Sequence, residues 1–319
     1  MSHTRTSLLA AALAGAALVP ATAAAQGTPT TLSAEQSATR VAAFESTVMW
    51  SRLDPASGRY ALLKSVGGGA PTAVAVAPRS GGPFDIDLGS NRAGRPFAVY
   101  TRDGDVYRLN VATGAETKLD KLSSPKLAER DPTIQRGEIA FIRRNGRFDE
   151  LRIGNTTGAS KGSRLLVRRA SILHAELGIR HIAYVTSVQK GVGGEQQMHI
   201  RNISSGADKI VYRARSGGAN FASITRASYV SAPAGFIWAR TNIGSQTGNR
   251  IVRYTLGGSK LAYAQGSSRY ISTAWANDEL GVVTTSTLAG SETPDTCVDG
   301  GVSYCGVMLT GPLSFGLKP

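Results

Sequence analysis

The chain has 319 residues, 37 of them glycine, and a formal net charge of +14 from 36 basic and 22 acidic residues. Only 18% of residues are charged, so acids are scarce rather than bases abundant, and no run of five bases or nucleic-acid motif is present, which argues against nucleic-acid binding. Abundant Gly, Thr, Ser, Val and Ile point to short strands joined by tight turns.

The N-terminal residues read as an export signal. Arg5 gives a positive start, Leu8 to Val19 form an apolar stretch, and Ala23, Ala24 and Ala25 supply small residues for cleavage before Gln26. That stretch is about 12 residues, short of the about 20 that a membrane helix needs, and no later run reaches that length. A secreted or periplasmic protein without a transmembrane segment is expected. Removal of residues 1–25 leaves a mature chain of net charge +13, because Arg5 is the one charge removed. Residues 26–39 read as a flexible leader placed to close the fold by adding a strand, and residues 40–319 as one domain.

From residue 47 onward a unit repeats. Apolar strands aligned at Thr47, Ala98, Ala140, Ala183, Gly235 and Gly281 recur about 42–52 residues apart, an irregularity expected of loop insertions in a repeat architecture. These strands are apolar on both faces, as for a strand packed between two neighbouring sheets. A more alternating strand follows each, best seen at Asp105–Val111 after the hairpin pair Asp103-Gly104. Asn145-Gly146 takes the same place in the next unit, with Arg147 and Phe148 extending that loop. Small turns containing Gly114, Gly158, Gly206 and Gly258, with Gly67-Gly68 in the first unit, lead to short fourth strands such as Leu165–Arg168 and Lys209–Tyr212. Candidate first strands lie upstream at Pro83–Leu88, Arg130–Ile134, Ile172–Glu176 and Tyr270–Ala274. Four short antiparallel strands in each of six units predict an all-β, six-bladed β-propeller.

The run Asp103, Gly104, Val106, Tyr107, Arg108, Leu109, Asn110, Val111, Thr113, Gly114 and Leu119 resembles the blade of the TolB-like six-bladed propellers. The resemblance extends over roughly residues 40–312 for architecture. It implies an uncharacterised secreted bacterial propeller rather than any particular enzyme.

Candidate functional residues are few. Asp85 and Asp87 alternate with Phe84, Ile86 and Leu88, so both carboxylates leave one side of a first strand. Asp131 takes the equivalent place in the next unit, and all three are candidates to face the central channel. There they would serve as acceptors tying blades together, as oxygen ligands for calcium, or as acid and base acting on a polysaccharide. His174, His181 and His199 fall in one unit beside Glu176; three independent strand residues is the plainer reading, since a metal site would need a further ligand. No serine-nucleophile, zinc-protease or phosphate-loop motif is present, and no cofactor is expected. Arg52, Arg102, Arg143, Arg144 and Arg240 recur after the second strands and are candidates for a basic rim attracting acidic polymers. Gly191–Gly194 reads as the longest insertion, a surface loop.

These features favour a monomeric, non-enzymatic binding or interaction protein recognising a partner protein or an acidic cell-surface polymer. The alternative is a hydrolase or lyase using the channel carboxylates.

Cys297 and Cys305, in an exported context, are expected to close one short disulfide loop. Exported protein should begin at Gln26 by N-terminal sequencing and yield no alkylated cysteine unless reduced. Two alkylated thiols in unreduced material would exclude the bridge.

Overall fold

The computed structural model describes residues 30–37, 39–155, 162–190, 193–215, 222–242, 249–264, 270–277, 280–287, 298–299, 302–303, 305–309 and 311. Every regular element among them is a β-strand. Six antiparallel sheets form six blades. Blade 1 runs Val41–Phe44, Thr47–Asp54, Arg59–Val66 and Thr72–Ala73. Blade 2 runs Asp87–Ser90, Pro96–Arg102, Asp105–Asn110 and Glu116–Lys118. Blade 3 comprises Glu129–Gln135, Glu138–Asn145, Phe148–Asn155 and Arg164–Arg169. Blade 4 comprises Ile172–Leu177, His181–Lys190, Gly193–Asn202 and Asp208–Arg215. In blade 5 the first strand is split into Ala222–Ile224 and Ser228–Ser231, followed by Ala234–Asn242, Arg250–Thr255 and Lys260–Ala264. Blade 6 takes Tyr270–Trp275, Val282–Thr287 and Cys305–Leu309 from the C-terminal end, and its outermost strand is Thr30–Glu35.

The first strands contact one another in sequence, blade 1 to blade 6 and back to blade 1, so they surround a closed axis. The expected six-bladed propeller is therefore present. Its core is divided into six apolar clusters, one at each interface between adjacent blades. This explains the second strands. Val48 and Trp50 pack toward blade 6 while Met49 packs toward blade 2; Ala140 and Ile142 pack toward blade 4 while Ile139 and Phe141 pack toward blade 2. Alternate residues serve alternate interfaces, so the whole strand must be apolar.

Local turn chemistry sets the register. Asp103 and Gly104 both have positive φ, 52° and 81°, and Arg102 pairs with Asp105 around them, a two-residue turn that suits the strand twist. In blade 3 the turn is Gly146-Arg147, because Asn145 already pairs with Phe148; the loop is shorter than the sequence suggests. Gly191–Gly194 is likewise no long insertion. Lys190 pairs with Gly193 and Gln189 with Gly194, so two ten-residue strands meet around residues 191 and 192.

Part of the expected leader is also structural. Thr30–Glu35 pairs with the last strand of blade 6, Glu35 opposite Cys305, so the two ends of the chain close the ring. Glu35 fixes that strand to blade 1. Its buried carboxylate accepts hydrogen bonds from Trp50 Nε1 at 2.7 Å, Arg52 Nη2 at 3.1 Å and Ser33 Oγ at 2.7 Å.

Replacing Glu35 with Ala strands these donors and should destabilise the fold by about 2–3 kcal/mol, the range for a lost hydrogen-bonded charge. Chemical denaturation would show this as a lower midpoint with an unchanged slope; an unchanged midpoint would exclude a closing role for Glu35.

Candidate functional site

The inner edges of the first strands would leave backbone N–H groups facing the axis. Side-chain oxygens from neighbouring blades cap them. Ser51 Oγ accepts from Phe84 N at 2.9 Å, Asp87 from Ile134 N at 2.9 Å, and Thr133 Oγ1 from Leu177 N at 3.0 Å. Glu176 accepts from Tyr229 N at 3.0 Å, Ser228 Oγ from Trp275 N at 3.0 Å, and Ser272 Oγ from Val41 N at 3.2 Å. Each of the six interfaces thus carries at least one such bond, and a buried N–H without one would be costly.

Asp85, Asp87 and Asp131 belong to this system. Asp85 accepts from Thr101 N at 2.7 Å, Thr101 Oγ1 at 2.6 Å and Asp131 N at 2.9 Å, joining blades 2 and 3. Asp131 sits in a bulge between Arg130 and Thr133, with a left-handed φ of 52° that turns its amide to Asp85. Its carboxylate accepts from Ala175 N at 2.7 Å and pairs with Arg40 of blade 1. Burial opposes the charged form, but Arg40 and Arg226 outweigh it and hold the Asp131 carboxyl far below the usual range.

Arg226, in the gap of the split first strand of blade 5, lies at the centre. Nε donates to Ala175 O at 3.0 Å, Nη1 to Ile86 O at 3.1 Å and Nη2 to Pro132 O at 2.9 Å. The guanidinium therefore spans blades 2, 3 and 4 as well as its own. It also lies 3.4 Å from Asp87 and 3.3 Å from Glu176. Burial works against its charge, yet Asp87, Asp131 and Glu176 hold its pKa above the ordinary value. Burial, reinforced by the nearby Asp87 charge, pushes Glu176 well above the carboxylate range. The positive charge beside Asp87 and Asp131 is thus supplied by guanidinium groups, in keeping with the sequence reading of these carboxylates as acceptors tying blades together.

Above Glu176 lies a funnel of about 380 Å³ lined by residues of all six blades, among them Phe44, Glu45, Arg136, Tyr229 and Trp275. It opens among the turns that join first to second strands. Glu45 and Arg136 in these turns have φ of 52° and 50°, a conformation that few L-residues adopt freely. The Arg136 charge acts on Tyr229, which burial pushes upward and Arg136 opposes. Sequence reasoning missed the Arg226 plug, Arg40 and the residues that line the funnel. Aligning Thr225-Arg226-Ala227 with the Asp-bearing first strands would have found Arg226.

The arginines expected to form a basic rim are largely paired. Arg52 meets Glu35, Arg102 grips Glu116 with two bonds of 2.9 and 2.6 Å, Arg143 meets Glu129 at 2.7 Å and Arg144 meets Asp149 at 3.1 Å. Arg240 is half-buried, its charge acting on Tyr212.

The three histidines lie on separate strands of blade 4 and do not converge. His174 contacts Arg40 and Asp131, His181 contacts Asn202, and His199 contacts Thr186 and Asp208. Among the described residues no three potential ligands gather around a metal position. Thr186, His199 and Asp208 form a chain of 3.3 and 3.2 Å in the order of a nucleophile, base and acid. However, Asp208 also accepts the Tyr184 hydroxyl, as Glu35 accepts Trp50 and Glu116 accepts Tyr100. The chain is blade 4's form of a recurring tie between aromatic and acid. Cys305 is fully buried and is not a free thiol; residues 1–25, Gln26 and Cys297 lie outside the described residues. Among the described residues no helix is long and apolar enough to cross a membrane.

No family model and no curated protein matches the chain. Among solved structures it is similar to an oligogalacturonate lyase in complex with manganese (TM-score 0.53, 11% identity, covering 89% of this chain and 91% of that one). It is also similar to the PQQ-bound aldose sugar dehydrogenase of Streptomyces coelicolor (TM-score 0.53, 13% identity, 88% and 96% covered). TolB from Acinetobacter baumannii aligns with a TM-score of 0.49 at 13% identity, over 71% of this chain and 54% of TolB. Likeness at these identities concerns the fold, which serves enzymes and other proteins alike.

The raised Glu176 gives a pH prediction. The folded protein holds this proton more tightly than the unfolded chain, whose glutamate has the ordinary value of 4.5. Stability from this group is therefore complete below that pH and declines as pH rises toward the folded value. The melting temperature of wild type relative to Glu176→Gln should fall as pH rises above 4.5; a constant difference would contradict it.

Proposed function

We propose that this protein is a secreted or periplasmic, non-enzymatic binding propeller that receives a partner protein or an acidic polymer in its axial funnel. The mature chain starts at Gln26, carries a Cys297–Cys305 disulfide and acts as a monomer. The observation that carries this reading is the funnel itself. It is a concave site built by all six blades, with aromatic walls and a few polar groups, the usual composition of a ligand pocket.

The enzymatic alternative loses ground at Asp85, Asp87 and Asp131. Each accepts a backbone N–H from the following blade, and Asp87 and Asp131 are also paired with arginine. A carboxylate engaged in this way is poorly placed to exchange protons with a substrate. Glu176 does line the funnel, but it is bound to Tyr229 N and Arg226 at its base.

The proposal is tested by a screen of glycans, wall polymers and peptides, repeated with a funnel-filling variant. Ser231 is an exposed funnel-lining residue, so Ser231→Trp should abolish binding of the ligand found while leaving the melting temperature within a few degrees. Binding that survives Ser231→Trp in a folded protein would exclude the funnel.

A further inference from the structure

We infer that the funnel takes one end of an acidic oligosaccharide, its carboxylates lying on an arc of arginines over blades 2, 3 and 4; this rests on the funnel being the binding face. The arc consists of Arg92 and Arg95 in the blade 2 turn, Arg136 in the blade 3 turn and Arg180 in the blade 4 turn. All four are exposed. Among the described residues none is held in an ion pair, in contrast to Arg52, Arg102, Arg143 and Arg144. Arg136 lines the funnel directly, and Gly94 and Ile179, next to Arg95 and Arg180, line it as well. The opposing charges on these turns are Glu45 and Glu138; Asp278 and Glu279, of the blade 6 turn, lie outside the described residues.

The turns that carry the arc are braced. Asn91 Oδ1 accepts from Ala93 N at 2.9 Å and Arg95 N at 3.0 Å. Gly137 N donates to Ser90 O at 2.7 Å, Gly178 N to His181 O at 2.7 Å, and Ile203 N to Arg180 O at 3.0 Å. A guanidinium on a fixed turn offers a planar fork that matches a carboxylate.

The funnel wall favours a sugar over a peptide. Peptides commonly dock by adding a strand to an open sheet edge, but here Ile134, Ala175, Leu177, Tyr229, Trp275 and Val41 already give their inner-edge N–H groups to side-chain oxygens. The wall toward the ligand carries Ser90, Gln135 and Ser231 beside Tyr229 and Trp275, with Ser90 Oγ donating to Gln135 Oε1 at 3.4 Å. Hydroxyl and amide groups both donate and accept, as a polyol requires. Arg226 closes the axis beneath, so the ligand enters by its end and the rest of the chain crosses the rim.

Calorimetry with a uronic-acid tetrasaccharide, its fully methyl-esterified form and tetraglutamate tests this. The acid sugar should bind, and the variant Arg92→Gln, Arg95→Gln, Arg136→Gln, Arg180→Gln should weaken it at least about tenfold, as loss of a charged hydrogen bond does. A control that removes equal charge elsewhere, Lys121→Gln, Lys126→Gln, Arg147→Gln, Arg164→Gln, should change it less than about twofold, since remote exposed charges are screened. Neither the ester nor tetraglutamate should bind comparably. Equal weakening by the control, or equal binding of the ester, overturns the arginine arc; equal or tighter binding of tetraglutamate overturns the choice of a sugar. If the acid sugar fails to bind while another ligand is lost in Ser231→Trp, this inference fails and the funnel reading stands. If that ligand is retained in Ser231→Trp, the funnel reading itself fails.

Discussion

A single buried guanidinium organises the axis. Arg226 is almost wholly excluded from water and meets carbonyl oxygens of three other blades together with two carboxylates. Burying that charge is expensive and is tolerated only where its donors and its charge are met. The requirement runs both ways. Asp87 and Asp131 need a cation nearby, Glu176 holds its proton beside it, and the guanidinium needs acceptors from several blades at once. The result locks first strands that are far apart in sequence at fixed positions around the axis, and it places a floor under the funnel.

Around that centre, six apolar clusters and a ring of bonds between side-chain oxygens and backbone amides repeat from interface to interface. In a repeat fold stability is a sum of such neighbour terms, and a ring gains one further interface by closing. Here closure is provided by Thr30–Glu35 in the last blade, with Glu35 bound to Trp50 and Arg52 of the first. The same division of labour explains the charge distribution. Arg52, Arg102, Arg143 and Arg144, at the ends of second strands, are held by carboxylates, whereas Arg92, Arg95, Arg136 and Arg180 at the funnel mouth are in no ion pair among the described residues.

The second strands were the most legible elements, because packing between two sheets makes both faces apolar over a long run. Asp103-Gly104 was legible because its turn demands two positive φ values. The alternation of Asp85 and Asp87 with Phe84, Ile86 and Leu88 showed which side chains part company and allowed them as acceptors between blades, though not which amides they would meet. The first strand of blade 5 was illegible, since the break at Thr225-Arg226-Ala227 removes the periodicity that marks a strand. Thr30–Glu35 is polar and pairs with residues nearly the whole chain away, so its role in closing the ring was expected from its place ahead of the first blade, while its bounds and register had no local signal. The recurrence of Arg52, Arg102, Arg143 and Arg144 was visible, but their pairing was not. Glu116, Glu129 and Asp149 lie 14, 14 and 5 residues from their arginines, and Glu35 precedes Arg52 by 17, so no single spacing marks the pairs.

The central claim is that Arg226 holds the inner strands in place. Hydrogen exchange on Arg226→Met, a side chain of similar length without charge, tests it most directly. The account predicts that the amides of Ile134, Ala175, Leu177 and Tyr229 lose protection together, while amides of the second and third strands, such as those of Val99 and Leu109, keep theirs. Unchanged protection at all four inner-strand amides in the folded variant would contradict it.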